Sequence, residues 1–202
     1  KHKIIKYNYY PKEIMSRFKS CIVMLIFIFM SIDILPQTLK IGFRYEPGIL
    51  FVKQESKNLN MPVIFSLSGS LLIEPIELCD IELRPGIVLI NDEYSGFELG
   101  VFAKIKIPPT QFYFLFGVNN HSNIGTAHNR GGSFEKGIFY KGLGLGYKTG
   151  SNFSIDLTYF WTSDRKFAYI IETDGLTYSR VIDKEVKGML KLGFNITWDL
   201  LL

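Results

Sequence analysis

Cysteine, histidine and helical periodicity are what this sequence has least of. Cys21 and Cys79 are the two cysteines among 202 residues. Cys21 lies in an apolar stretch expected to be removed, so the remaining lone thiol can form no intrachain disulfide. His121 and His128 are near one another in sequence, but no carboxylate-rich set accompanies them, and neither a metal nor another cofactor is expected. No stretch after residue 37 carries apolar residues at a 3.6-residue spacing, which argues against a helical fold.

A surplus of charge is also missing from the bulk of the chain. The formal +4 resides in the N-terminus. Without residues 1–36, Lys1, Lys3, Lys6, Lys12, Arg17 and Lys19 go, as do Glu13 and Asp33, and the remainder is neutral. A nucleic-acid partner is therefore not expected. The N-terminus itself reads as an export signal. Arg17 and Lys19 precede an uncharged run from Ser20 to Ile32, a basic n-region before an h-region. That run is short for a membrane-spanning helix, which needs about 20 residues. We read 1–36 as a leader and secretory signal peptide that is removed, with Met15 as a candidate start. An N-terminal anchor helix is the other reading.

Present instead are apolar and aromatic residues, 47% and 15% of the chain, enough to exclude disorder. They alternate with polar ones. Period-two stretches occur at 38–46, 63–74, 80–90, 96–107, 111–119, 138–147, 153–162 and 188–198, which predicts eight strands. In the last, Leu190, Leu192, Phe194, Ile196 and Trp198 share one face, with Lys191, Asn195 and Thr197 on the other. Val63, Phe65, Leu67, Leu71 and Ile73 form a similar row. Pro85-Gly86 falls inside a strand, where a bulge or kink is expected. The connections at 75–79, 108–110 and 148–152 are turn-sized. Those at 53–62, 120–137 and 163–186 read as long loops, although partial alternation around Asp174-Gly175 predicts a protruding hairpin.

An exported chain with these features fits an all-β, eight-stranded, antiparallel up-and-down transmembrane β-barrel over residues 37–202. The apolar rows would face lipid, with Tyr147, Tyr159, Trp161 and Trp198 toward the interfaces. A soluble lipocalin-like barrel would put its oil inside. Gly142, Gly144 and Gly146 on one face suit a crowded polar interior better than an apolar core. By its signal, its alternating segments, its turn asymmetry and its terminal "KLGFNITW", the chain resembles the small eight-stranded outer-membrane β-barrel proteins of Gram-negative bacteria. The resemblance implies a bacterial outer-membrane location, contact with outer-membrane lipid or lipopolysaccharide, and a monomer.

For function, three classes stay open. An eight-stranded barrel is narrow enough for side chains to fill. Arg44, Glu82, Arg84, Glu98, Lys104, Asp156 and Lys191 fall on the inward rows, where charges of both signs should pair. A salt-bridged plug is the expectation, and a narrow porin-like channel the alternative. A lipid A deacylase-like hydrolase is suggested by His121, Ser122 and Asn123 with Glu135 as the acid. In that barrel family, however, the His and Ser stand two residues apart on one face, whereas His121 and Ser122 are adjacent. The third class is a non-enzymatic structural or surface-binding role, with the loops engaging an extracellular protein or surface ligand.

Overall fold

The computed structural model describes residues 38–200 apart from 129, 151 and 175–177. The expected leader and signal segment, 1–36, lies outside the described residues, as does the tip of the expected hairpin at Gly175. The strands in chain order are β1 Thr38–Tyr45, β2 Gly48–Gln54, β3 Lys57–Val63, β4 Phe65–Ile76, β5 Cys79–Asn91, β6 Tyr94–Lys106 and β7 Phe112–Asn123. There follow β8 Ala127–His128, β9 Gly131–Ser133, β10 Lys136–Thr149, β11 Phe153–Trp161, β12 Lys166–Asp174 and β13 Tyr178–Asp199.

Eight of these make a closed ring. Its order is β1-β4-β5-β6-β7-β10-β11-β13, and β13 returns to pair with β1. Neighbours are antiparallel throughout. The closure is staggered. From Met189 the register passes through Phe160, Gly142, Gly117, Phe102, Glu82, Leu72 and Lys40 and returns to β13 at Asp199, ten residues further on. In a ring of eight strands that stagger corresponds to a strand tilt of about 40°, within the range of membrane barrels.

The two faces of the ring have opposite chemistry. Inward positions on β5 read Asp80, Glu82, Arg84, and on β13 Lys191, Asn195, Thr197; all are buried. Outward positions are Ile41, Phe43, Phe65, Leu83, Leu89, Phe97, Ile105, Phe112, Phe114, Phe116, Leu143, Leu145, Leu157, Leu192 and Ile196, all exposed. A soluble barrel has the reverse arrangement, because water penalises exposed oil.

Beyond one rim the chemistry inverts. β2 and β3 continue β1 and β4, β12 continues β11, and all flank the first half of β13 in the order β3-β2-β13-β12-β9-β8. Here Leu50, Val52, Val63, Phe167, Ala168 and Val186 point inward and are buried, while Lys53, Lys57, Asn58, Asn60 and Arg180 are exposed. Two irregularities shift the alternation by one residue. One is Ile64, between β3 and β4. The other is the register shift between Val186 and Gly188, after which Met189 rather than Leu190 points inward.

Three sequence expectations are corrected. Residues 53–62 form a hairpin turning at Glu55-Ser56 rather than a loop; most of 163–186 is strand too, and there the antiparallel pairing of β12 with β13 agrees with the predicted hairpin rather than with a loop. The inward rows of those segments are apolar, so a core can form there and extend the sheet. Val63 does not share the face of Phe65; the irregularity at Ile64 turns it inward, where it is 1% exposed. Pro85-Gly86 makes no bulge. Pairing of β5 with β6 runs unbroken through both residues. With β4 it lapses opposite Gly69 and Ser70, then resumes in the same register. Pro85 has no N–H to give to that ladder.

The filled lumen as candidate functional site

Four cations and four carboxylates meet inside the ring. They come from five strands and the residue after β1: Arg44 (β1), Glu46, Glu82 and Arg84 (β5), Glu98 and Lys104 (β6), Asp156 (β11) and Lys191 (β13). None is more than 7% exposed. Burying eight ionised groups is sustainable only if each finds opposite charge and hydrogen bonds.

The partners are close. Arg84 grips one oxygen of Glu82 through Nη2 at 2.6 Å and Nε at 2.9 Å. Lys104 Nζ reaches that same oxygen at 2.9 Å. The other oxygen of Glu82 accepts from Ser70 at 2.6 Å and from Asn195 at 3.2 Å. Arg44 donates through Nε to Glu46 at 2.6 Å and through Nη2 to Asp156. Tyr113 and Thr158 donate to Asp156 at 3.0 and 3.3 Å. Arg84 also approaches Glu46 at 3.4 Å, which joins the two halves of the network. Lys191 holds Glu98 at 2.6 Å and Ser66 at 3.2 Å.

Aromatic rings close what remains. Phe102 and Phe160 meet edge to face at 5.9 Å. Arg84 lies 4.1 Å over the Phe102 ring, and Lys191 5.7 Å from that of Phe160. Glycine makes this possible. A Cβ on Gly117 would fall 2.6 Å from the Phe102 ring, and one on Gly142 about 3 Å from both rings. A Cβ on Gly146 would sit 2.2 Å from Tyr113. The spare volume of the glycine rows is thus filled by rings from neighbouring strands.

The lumen has three layers. At the short-turn end is a vestibule of about 360 Å³, lined by Lys40, Glu74, Asp80, Lys104, Lys106 and Tyr113 among others. The charge network and the Phe102–Phe160 pair follow. Above them is the apolar core of the extension.

His121 lies at the boundary between network and core. It is fully buried, stacked on Tyr94 with ring centroids 4.2 Å apart and planes 1° apart. Tyr94 in turn shares a 2.7 Å hydrogen bond with Tyr140. His121 Nε2 is 3.3 Å from Asn123, and Nδ1 faces Glu98 at 3.8 Å. Ser122 is on the other face. β7 is regular there, pairing with β6 and β10 through Asn123, so His121 points in and Ser122 out, next to Asn120. Glu135 is exposed in the segment before β10. The three candidates for a hydrolytic triad are therefore not brought together, and the carboxylate beside His121 is that of Glu98. Among the described residues no group of three His, Cys, Asp or Glu side chains converges on a point.

Glu46 was missed as a member of the network, although it continues the inward row Lys40, Gly42, Arg44. Its position just before Pro47-Gly48 reads as a strand end, and only the continuation into β2 makes it interior. Phe102, Tyr113 and Phe160 were missed because large rings on a polar face look like exceptions to alternation.

Comparisons with known proteins give distant structural likenesses alone. No protein-family model matches the chain, and no curated protein matches it in sequence. Solved structures of similar architecture exist. Neisserial surface protein A is 12% identical, over 78% of this chain and 97% of that one, with a TM-score of 0.44. The outer membrane protein AlkL is 12% identical, over 82% and 92%, with a TM-score of 0.48. The N-terminal β-barrel domain of Pseudomonas aeruginosa OprF is 16% identical, over 80% and 100%, with a TM-score of 0.38.

Proposed function

We propose that this chain is a bacterial outer-membrane β-barrel with a plugged lumen, and that it serves a structural or surface-binding role through the end that projects beyond the lipid. One observation carries the reading: apolar side chains cover the outside of the ring while eight paired charges fill its inside. In lipid each backbone N–H and C=O must be satisfied internally, which a closed ring does and an open sheet does not. The plug speaks against conduction, because an ion would have to displace Arg84, Phe102 and Phe160 from contacts made with one another. The vestibule favours a narrow channel as the second reading, but its lining stops at the charge network.

Reconstitution into planar bilayers tests this. Inserted monomer should give little or no ion conductance. Large, stable, reproducible channels would replace the plug reading with the channel reading.

A further inference from the structure

Three cations at the rim where the ring passes into its extension have no counter-charge. Lys141 points outward from the middle of β10, between buried Tyr140 and Gly142. Its ladder partner is Trp161, 39% exposed on β11. One strand further on, the β13 irregularity places exposed Lys187 beside that row, since Phe160 pairs with Met189. Exposed Arg165 adjoins Lys187, because its carbonyl accepts from Val186 N–H at 2.7 Å.

The acids of the neighbourhood are taken. Asp164 is bound by Lys136 at 2.5 Å, and Asp183 by Lys166. Glu185 stands in the ladder between Lys53 and Lys166. Among the described residues, Lys141, Arg165 and Lys187 have neither an ion pair nor a side-chain hydrogen bond. On a soluble surface that would be unremarkable. Here the belt is the rim at which the apolar band ends. In β13, Lys187 precedes the outward apolar row that ends at Trp198, and Trp161 and Tyr159, stacked at 6.3 Å and exposed on the outer face, are of the types enriched at membrane interfaces. A lysine such as Lys141, slightly inside the band, reaches its rim by extending its stem along the barrel.

We propose that Lys141, Arg165 and Lys187, grouped around Trp161, bind the phosphomonoester headgroup of an outer-leaflet lipid. The inference rests on the membrane reading given above. Charge complementarity selects the occupant. Cations held at the headgroup level draw anionic lipid. Guanidinium and ammonium donors satisfy phosphate oxygens, while the aromatic face packs the adjoining acyl chain or sugar.

The test uses the full chain in phosphatidylcholine vesicles carrying either lipid A or its dephosphorylated form. Insertion is scored first, from protease resistance. The barrel is then extracted in mild detergent, and co-purifying lipid is counted by native mass spectrometry. Wild-type protein should retain lipid A. K141S/R165S/K187S should lose at least about tenfold of that retention, and K141R/R165K/K187R should keep it. The dephosphorylated lipid should be retained poorly by all three. Equal retention by wild type and the serine variant, or of the two lipids, overturns the proposal. Wild-type protein that never inserts overturns the membrane reading itself, a distinct result.

Discussion

Replacing Glu82 by alanine is the sharpest perturbation of the plug. Its two oxygens accept from Arg84, Lys104, Ser70 and Asn195 at 2.6 to 3.2 Å. The variant leaves two buried cations facing each other without their shared carboxylate. It also takes the interior from neutral to a net charge of +1. Removing one partner of a buried ion pair costs about 3–5 kcal/mol. Glu82→Gln keeps the volume and one acceptor and should lose less, about 1.5–3 kcal/mol. Adding Arg84→Met to Glu82→Ala should recover part of the loss, because one of the stranded charges goes. Urea unfolding in phosphatidylcholine vesicles, followed by the fluorescence of Trp161 and Trp198, measures all three. A loss below about 1 kcal/mol for Glu82→Ala would refute the reasoning, since it would mean that water reaches the network and solvates it.

Other expectations concern single sites. Gly146→Val should cost about 1–3 kcal/mol in the same unfolding assay, because its Cβ would occupy the place of the Tyr113 ring. Phe116→Arg sits on the outer face midway between Phe112 and Asn120, and a charge at mid-bilayer depth should cost about 2–4 kcal/mol. Ser122→Ala should change stability by less than about 0.5 kcal/mol and leave export intact, since among the described residues its exposed hydroxyl has one long hydrogen bond, accepted from Asn120 at 3.5 Å. His121→Ala should cost about 2 kcal/mol by opening a void against Tyr94. Release of an acyl chain from lipid A by wild-type protein, lost in Ser122→Ala, would contradict the assignment of these two residues to opposite faces.

The ring strands were legible because each repeats one chemical contrast over many residues. Leu190 to Trp198 against Lys191 to Thr197 needs no partner strand to be read. The extension was harder. There the oil turns inward, and the two irregularities at Ile64 and Lys187 break the period where its meaning inverts. A rule tuned to lipid-facing rows reads such segments as loops. The interior network was legible as a set of inward charges but not as a set of pairs. Glu82 and Arg84, like Arg44 and Glu46, stand two apart on one segment, but that Arg44 reaches Asp156, Lys191 reaches Glu98 and Asn195 reaches Glu82 depends on a closure staggered by ten residues. No single strand encodes that number. The His121–Ser122 adjacency was the one place where strand geometry alone decided a chemical question, because neighbours on a regular strand diverge.

The central claim is that lipid covers the outside of this ring. A cysteine scan from Met189 to Trp198, in a background with Cys21 and Cys79 replaced by serine, tests it in vesicles. Spin labels at Leu190, Leu192, Phe194, Ile196 and Trp198 should collide with dissolved oxygen and be shielded from a water-soluble nickel complex. Labels at Met189, Lys191, Asn195 and Thr197 should be shielded from both or disrupt folding. A reversed pattern, with the nickel complex reaching the Leu190–Trp198 row, would show that water surrounds the barrel and would contradict the account.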